Sequence, residues 1–223
     1  AGTISDGCVV LHNGHRVPMS GPGSYYGDFS RILIYNRGVH EPVEEFAFQE
    51  LLRILPQVPV MVELGAYWAH YSMWLKKARP AALVWMVEPE RDNLEAGRTN
   101  FFRNGYEGNF IHDFVGKGRF EVDAFLAHEG LETIDILHCD IQGFELEMLE
   151  GATEALAERR IKRLFVSTHS QPLHAQVAAK LRTHGYQIDV DSDFDHDSTS
   201  FDGLLIASHP DLEPLLGANK LIG

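Results

Sequence analysis

Acidic residues and a histidine stand at the ends of successive apolar runs, and these residues have the chemistry of a ligand site. Together with one glycine they are Gly65, Glu88, Asp113, Asp140 and His169. In an open α/β sheet, ligands bind outside the carboxyl ends of the strands. A carboxylate about 20 residues beyond a glycine turn accepts hydrogen bonds from ribose hydroxyls, and Glu88 lies 23 residues beyond Gly65. Since Asp113 could accept from an exocyclic amine, the pattern predicts an adenosine-type ligand that lacks a diphosphate.

The glycine lies in the stretch Val60-Met-Val-Glu-Leu-Gly-Ala-Tyr-Trp-Ala-His-Tyr-Ser72, where an apolar run passes directly into helical periodicity. This pattern predicts a strand, a tight turn and a helix. A dinucleotide fingerprint would need further glycines where Tyr67 and His70 stand. An NAD(P)-dependent oxidoreductase is therefore the weaker alternative among enzymes with nucleotide-like ligands.

The elements that must position these residues alternate from residue 60 onward. Strands are predicted at 60–64, 83–88, 109–113, 134–140, 161–168, 186–190 and 203–207. Helices follow most of them, and no long helix separates the last two strands. The order predicts an α/β, Rossmann-like, doubly wound fold with a mostly parallel seven-stranded sheet and one antiparallel strand.

Residues 1–57 are predicted to form an N-terminal extension, and residues 58–223 the main domain. The extension has β-like pieces at 8–12 and 31–35, a hairpin signal at Asn13-Gly14, and a helical pattern over 41–55. Tyr25 and Tyr26, in a glycine-flanked loop, are candidates for a lid over the site, although plain packing is the commoner role of such residues.

Composition argues against several classes of partner. Nineteen basic and 32 acidic residues give a net charge of −13 with no basic stripe, which argues against nucleic acid. No apolar run approaches the roughly 18 residues of a membrane span. The first residues, 1–5, show no signal pattern, and the two cysteines, Cys8 and Cys139, do not suggest a disulfide framework. We expect a cytoplasmic protein with a small-molecule partner, and composition leaves a homo-oligomer open.

Three stretches resemble the signatures of class I S-adenosylmethionine-dependent methyltransferases, specifically the FkbM-like group. They are Glu63 to Ser72, Val87-Glu-Pro-Glu-Arg-Asp-Asn93, and Ile134 to Ala152. The most specific piece, Asp140-x-x-Gly143-x-Glu145-x-x-x-Leu149-x-Gly151-Ala152, is similar to the group's D-x-E-G-x-E-x-x-x-L-x-G-A. The resemblance covers about residues 58 to 190.

The sequence departs from the family pattern at several positions. The family usually has Asn and Gly where Tyr67 and Ala69 stand, Glu at Gln142, and E-x-H where this chain has Ser167-Thr168-His169. Gln142 and Ser167 each remove a negative charge from the expected site. A non-catalytic binding module that kept the fold is therefore an alternative to an active enzyme.

The resemblance implies a cradle for S-adenosylmethionine. Its residues would be Glu63, Gly65, Ala66, Ser72, Glu88, Asn93 and Asp113. Glu63 and Gly65 would face the methionine moiety, and Ser72 its carboxylate. Glu88 would hold the ribose with support from Asn93, and Asp113 would meet the adenine.

Methyl transfer to a hydroxyl requires in-line positioning and a proton acceptor. In the usual strand order the fourth and fifth strands are neighbours about 4.8 Å apart, which would set His169 beside Asp140. We predict His169 as the general base and Asp140 as the group that orients it or the substrate. A divalent ion such as Mg²⁺ on these residues is not favoured, because catalytic sites normally have three ligands and His138, a third candidate, fits a buried histidine better. The predicted reaction is O-methylation of a small molecule such as a sugar or secondary metabolite.

Two further groups are predicted to have other roles. Alternating aspartates (Asp189, Asp191, Asp193, Asp195 and Asp197) resemble a calcium loop, but no frame supplies the loop's glycine and closing glutamate. His174 and His184 are expected on a surface helix and at its end, exposed to solvent.

Overall fold

The predicted alternation of strands and helices is present in the computed structural model, which describes residues 1–21, 23–25, 30–196 and 201–216. The strands are β1 (Ile4–Ser5), β2 (Cys8–Val10), β3 (Arg16–Pro18), β4 (Val60–Leu64), β5 (Leu83–Val87), β6 (Asn109–Ile111), β7 (Ile136–Cys139), β8 (Arg163–Thr168), β9 (Gln187–Ser192) and β10 (Gly203–Ser208). The helices are α1 (Ile32–Tyr35), α2 (Pro42–Ile54), α3 (His70–Ala78), α4 (Arg91–Arg103), α5 (Val122–Glu129), α6 (Glu145–Glu150), α7 (Thr153–Ala157) and α8 (Gln171–Thr183).

Seven strands form the main sheet in the order β6-β5-β4-β7-β8-β10-β9. β10 runs antiparallel to both of its neighbours, and the other pairs are parallel. This confirms the predicted fold class, and the antiparallel strand lies one position in from the edge of the sheet. Strand order reverses between β4 and β7, so the crevice used by ligands in this architecture opens above those two strands.

Apolar side chains bury both faces of the sheet. Along β4, Val62 and Leu64 pack into one cluster, while Met61 packs into the cluster on the opposite face. This alternation follows from the two-residue period of a strand. Helix α5, which the sequence reading did not include, covers the first face with residues Val122 and Phe125. With both faces covered, the strand ends are where polar side chains can gather.

The N-terminal segment packs against the main sheet. Its three short strands form an antiparallel sheet in the order β1-β2-β3, and Val9 pairs with Val17 across the predicted Asn13-Gly14 hairpin. Helix α2 contributes Phe48 and Leu51 to the core cluster that contains Met61. The division of the chain at residues 57 and 58 stays a prediction.

The β-like piece predicted at 31–35 is wrong, because these residues form the helix α1. Of the apolar run Ile32-Leu33-Ile34, Leu33 alone is fully buried. A run this short has no periodicity that separates a strand from a helical turn.

The prediction that His174 is solvated is also wrong. Its side chain is buried on the sheet side of α8, with Nδ1 2.8 Å from Thr168 Oγ1 and Nε2 2.9 Å from Asp191 Oδ1. These two partners satisfy the ring, so its burial carries little cost. Asp191 also pairs with Arg182, whereas Asp189 is buried against Arg163. These two aspartates of the alternating run therefore have separate partners, and Asp197 lies outside the described residues.

Candidate active site

A cavity of about 320 Å³ lies at the carboxyl ends of β4, β5 and β7. Of the residues predicted to bind the cofactor, those that line it are Glu63, Gly65, Ala66, Glu88 and Asn93. Asp140 lines it as well, whereas Ser72, Asp113 and His169 are not among the lining residues. The volume falls within the range typical of small-molecule pockets.

Gly65 is required by its contact with the end of β7. Its φ is +72°, and a Cβ atom at this position would lie 1.7 Å from the carbonyl oxygen of Asp140. Its N–H donates to the carbonyl of Val87 at 2.9 Å, which ties the turn to β5 as well. The backbone at the switch point is therefore closely packed on both sides, and a side chain cannot be accommodated there.

Two non-glycine residues in the turn that follows Gly65 have positive φ angles, a backbone conformation that is strained for their side chains. Tyr67 has φ +41° and Ala69 has φ +61°, at the two positions where the FkbM-like pattern has Asn and Gly. Those residues adopt this region more readily than Tyr and Ala do. The Tyr67 hydroxyl donates to the carbonyl of Ser24 at 3.0 Å, so the N-terminal segment helps to hold the turn.

Glu88 is fixed across two turns by backbone donors. Its Oε2 accepts from the Tyr67 N–H and its Oε1 from the Glu90 N–H, both at 3.0 Å. Asn93 Nδ2 lies 3.4 Å from the same Oε1, on the side expected from the sequence. Burial raises the pKa of Glu88, and these hydrogen bonds offset part of the rise. The carboxylate thus has a fixed orientation in the cavity wall.

A hydrogen bond joins Glu63 and Ser72 near the start of α3. Glu63 is buried, and its Oε2 accepts from the Ser72 N–H at 3.1 Å, near the start of α3. Ser72 itself is fully buried and does not line the cavity. The Ser72 backbone N–H is therefore used by Glu63, while the Ser72 hydroxyl has no hydrogen-bond partner among the described residues.

Asp113 lies beside the cavity with its carboxylate engaged elsewhere. Its Oδ1 accepts from the Phe114 N–H at 2.9 Å and lies 2.7 Å from Arg119 Nη2. The cavity wall here consists of Phe114, whose ring meets that of Phe144 edge to face at 4.6 Å. Sequence reasoning missed both rings, although each stands one position from a motif residue: Phe114 follows Asp113, and Phe144 precedes Glu145.

His169 sits between three carboxylates. Its Nδ1 lies 3.0 Å from Glu145 Oε1, and its Nε2 lies 3.2 Å from Asp140 Oδ1 and 3.7 Å from Asp202 Oδ1. Burial lowers the pKa of His169, but the hydrogen bonds and charges of Asp140 and Glu145 outweigh it and raise the pKa to about 10. Burial also raises the pKa of Asp140, and the contact with His169 reverses this to a net lowering. At neutral pH the pair is therefore an imidazolium and a carboxylate.

The specific signature around Asp140 has a clear physical basis. Glu145 is fully buried, and its Oε1 accepts from the N–H groups of Ile141 at 3.3 Å and Gly143 at 3.1 Å. The loop after β7 is thereby folded back onto α6. Gln142 stands where the FkbM-like pattern has a glutamate. Its uncharged side-chain amide donates from Nε2 to Asp140 Oδ1 at 2.9 Å.

The other side of the cavity is built by the N-terminal segment, which the sequence did not assign to the site. The Tyr71 hydroxyl donates to Glu41 Oε2 at 3.2 Å, and His40 Nδ1 lies 3.6 Å from the same oxygen. Burial raises the pKa of Glu41 to about 8; the nearby His40 lowers it and Glu44 raises it. His40 and Glu41 lie about one hundred positions from Asp140 in the chain, so no local pattern joins them to it.

His138 is buried, as expected, but does not join Asp140 and His169. Its Nε2 lies 2.9 Å from Glu44 Oε1, and its ring packs on Tyr71 with centroids 4.3 Å apart. Tyr25 packs against Trp68 at 5.4 Å and lines the cavity, while Tyr26, its partner in the predicted lid, lies outside the described residues.

Comparisons with known proteins agree with this geometry. The family model described as the methyltransferase FkbM domain matches residues 119–188, which include Asp140, Glu145 and His169. The comparison with curated protein sequences returns no match. Within the described residues, no helix is long and apolar enough to cross a membrane.

Solved structures share the fold at low sequence identity. Precorrin-6y C5,15-methyltransferase from Geobacter metallireducens GS-15 is 17% identical, with a TM-score of 0.55 over 75% of this chain and 87% of that one. M. capricolum TrmK in complex with S-adenosylhomocysteine is 14% identical, with a TM-score of 0.51 over 77% and 73%. An rRNA methylase from Streptococcus thermophilus is 14% identical, with a TM-score of 0.54 over 77% and 98%.

The strand order and the glycine turn define the Rossmann-like fold of class I methyltransferases. Over residues 119–188, about a third of the chain, the sequence matches the methyltransferase FkbM domain. The resemblance seen in the sequence is thus confirmed. The family match begins at residue 119, so the residues of the β4 and β5 turns rest on the geometry described above.

Proposed function

We propose that this methyltransferase transfers a methyl group to a hydroxyl of a small molecule, such as a sugar or a secondary metabolite. One observation carries the proposal: a single cavity joins cofactor-type residues at the ends of β4 and β5 to half-buried carboxyl groups on its other side. Asp140 and Glu41 are the carboxyl groups that could contact a hydroxyl proton there.

The residues present fit S-adenosylmethionine. Gly65 leaves the backbone bare at the switch point, and Glu88 offers a fixed carboxylate suited to two ribose hydroxyls. Phe114 and Phe144 provide an apolar wall for an adenine, and Glu63, which also lines the cavity, would face the methionine moiety. When bound, the cofactor supplies an electrophilic methyl group on a sulfonium.

On the acceptor side, one carboxyl group orients the substrate hydroxyl and another takes up its proton. A protonated imidazole cannot take up a proton, so in this proposal His169 is a positioning residue that keeps Asp140 ionised and in place. Asp140 accepts a hydrogen bond from the acceptor hydroxyl and orients it. Glu41 takes the proton, because a base is most effective when its pKa lies near the working pH and the pKa of Glu41 is raised to about 8.

Charge supports a small acceptor over RNA, although structural neighbours are named as an rRNA methylase and a putative tRNA (m1A22) methyltransferase. With 32 acidic and 19 basic residues, the chain lacks the clustered cations that a phosphate backbone requires. The acceptor side of the cavity is acidic as well, with Glu41, Asp140 and Asp202 in its wall.

A screen of hydroxyl-bearing small molecules with ¹³C-methyl-labelled S-adenosylmethionine would test the proposal. We expect formation of S-adenosylhomocysteine together with a methyl ether, identified by the carbon shift of the product. The Asp140→Asn variant should bind the cofactor normally and lose turnover. Methylation of RNA, or of nitrogen or carbon on the acceptor, would overturn the O-methylation proposal.

A further inference from the structure

Three ligand-type side chains from separate segments converge outside the Asp140–His169 pair. His12 lies in the turn between β2 and β3, Glu45 on α2, and His70 at the first residue of α3. One ligand atom from each lies within 4.8 Å of the other two. His12 Nε2 is 2.5 Å from Glu45 Oε2, and His70 Nε2 is 3.3 Å from Glu45 Oε1.

These atoms are buried and lack hydrogen-bond partners of proper geometry among the described residues. The unpartnered atoms include Nε2 of both histidines and Oε2 of Glu45. His70 and Glu45 are each only 2% exposed. A histidine–glutamate–histidine hydrogen-bonded triad would align an N–H with each oxygen, and this cluster does not show that alignment. Each histidine lies within ion-pair distance of Glu45, but none of these contacts is a well-aligned hydrogen bond, so the buried atoms can take a further partner.

We propose that His12, Glu45 and His70 bind a divalent zinc ion. Two imidazole nitrogens and one carboxylate oxygen form a ligand set that zinc commonly uses, with a fourth position open to water. Bonds of about 2.0–2.2 Å to a tetrahedral ion set the ligand atoms roughly 3.3–3.5 Å apart. His70 Nε2 and Glu45 Oε1 are already 3.3 Å apart, and His12 Nε2 and Glu45 Oε2, at 2.5 Å, would move apart to admit the ion. A harder ion such as Mg²⁺ would instead favour oxygen ligands.

The surroundings support a fixed ion site. Glu45 Oε1 also accepts from the backbone N–H groups of His40 at 2.6 Å and Glu41 at 3.1 Å, which holds the carboxylate in place. The ring of Trp68 stacks on His70 at 4.9 Å, and Trp74 packs edge to face on His12 at 4.6 Å. Such supporting contacts orient metal ligands and limit access of water.

A zinc ion here would join the N-terminal segment to the main sheet. It would connect His12 and Glu45, both of which precede β4, to the helix that follows the Gly65 turn. His70 also lines the cavity, so the ion would lie behind the wall of the acceptor side. Its role in this proposal is to hold the N-terminal segment in place, and the methyl transfer does not depend on it for any chemical step.

Metal analysis of untagged protein, expressed with zinc and then passed through a chelating resin, tests the proposal. We expect about one zinc per chain, as for a formed structural site. The His12→Ala variant should lower zinc affinity more than about 100-fold, since even residues that only support ligands contribute about 10- to 100-fold. His128→Ala is the matched control, because that side chain is 83% exposed and lies outside the cluster; it should retain zinc fully.

Wild-type thermal unfolding gives a second readout in case a variant fails to fold. Zinc should raise the midpoint relative to protein treated with EDTA, and cobalt in its place should give the visible absorption of a tetrahedral site. Wild-type protein that is folded but takes up no zinc and shows no shift in midpoint would overturn the proposal, as would full zinc content in the His12→Ala variant. S-adenosylmethionine binding is measured separately, so failure of the metal site would leave the proposed methyl transfer intact.

Discussion

The two sides of the cavity hold their carboxylates in different ways. On the cofactor side, Glu88 and Glu63 are fixed by backbone N–H groups of the adjoining turns. On the acceptor side, Asp140 and Glu41 face the histidines His169 and His40. A backbone N–H donates a hydrogen bond at every pH, whereas an imidazole gains or loses a proton as the pH changes. The difference indicates that cofactor binding should be insensitive to pH and that acceptor chemistry should depend on it.

The largest effect is expected at the turn where the two sides meet. Gly65→Ala would place a Cβ 1.7 Å from the Asp140 carbonyl oxygen at a φ of +72°. Overpacking and left-handed strain together should cost about 4 kcal/mol in unfolding free energy, measured by urea denaturation. Gly130→Ala is the matched control, because Gly130 has φ +65° and no atom within 4 Å of a built Cβ. It should cost only about 1 kcal/mol, and equal costs would show that the close approach to Asp140 does not matter.

Removal of the Glu88 carboxylate, which backbone N–H groups hold in place, should abolish cofactor affinity at every pH. In Glu88→Ala the dissociation constant for S-adenosylmethionine should rise more than about 100-fold, since hydrogen bonds to a charged group are worth about 1.5–3 kcal/mol each. Calorimetry at pH 6, 7 and 8 measures this loss. Glu95→Ala, an exposed glutamate on α4, should bind like the wild type. Retained affinity in the Glu88 variant would mean that the ribose lies elsewhere.

On the acceptor side, turnover should follow the ionisation of Glu41. Since the base must be deprotonated and its pKa is raised to about 8, the wild-type rate should increase with pH through that value. Glu41→Gln should reduce kcat about 100-fold and flatten the profile, with cofactor affinity unchanged. A profile that keeps its rise in the variant would assign the proton transfer to another group.

The Asp140–His169 pair should give a pH-dependent contribution to stability. The pKa of His169 is raised to about 10, so its contribution is complete below about pH 6.5 and is lost as pH rises toward 10. His169→Gln should therefore cost about 2 kcal/mol at pH 6 and much less at pH 9.5, measured by urea denaturation. His128→Gln serves as the exposed control. A cost that does not change with pH would show that His169 is not held as an imidazolium.

The same contrast explains what the sequence could predict. The turns after β4 and β5 have recognisable sequence patterns. Their residues could therefore be assigned to the cavity from the sequence, and these are Glu63, Gly65, Glu88 and Asn93. Asp113 and Ser72 were assigned to the ligand because they follow the same pattern. Their roles toward a ligand stay predictions. The sequence could not show the contact of Asp113 with Arg119 or the hydrogen bond from the Ser72 N–H to Glu63.

Pairings across long sequence distances were beyond prediction. Glu41, Tyr71 and His40 meet only because α2 packs over the sheet, and packing against a distant element has no local signature. His169 was predicted correctly as a neighbour of Asp140, since parallel strands β7 and β8 bring their ends together. Its protonation depends on Glu145 as well, and this contact required the folded chain.

Calorimetric titration of the wild-type protein with S-adenosylmethionine and, separately, with NADH tests the central claim most directly. The cavity at the β4–β7 switch point, with Gly65 at its floor and Glu88 in its wall, predicts micromolar binding of S-adenosylmethionine and no binding of NADH. Binding of NADH, or of neither ligand, would contradict the assignment of this cavity to the methyl donor.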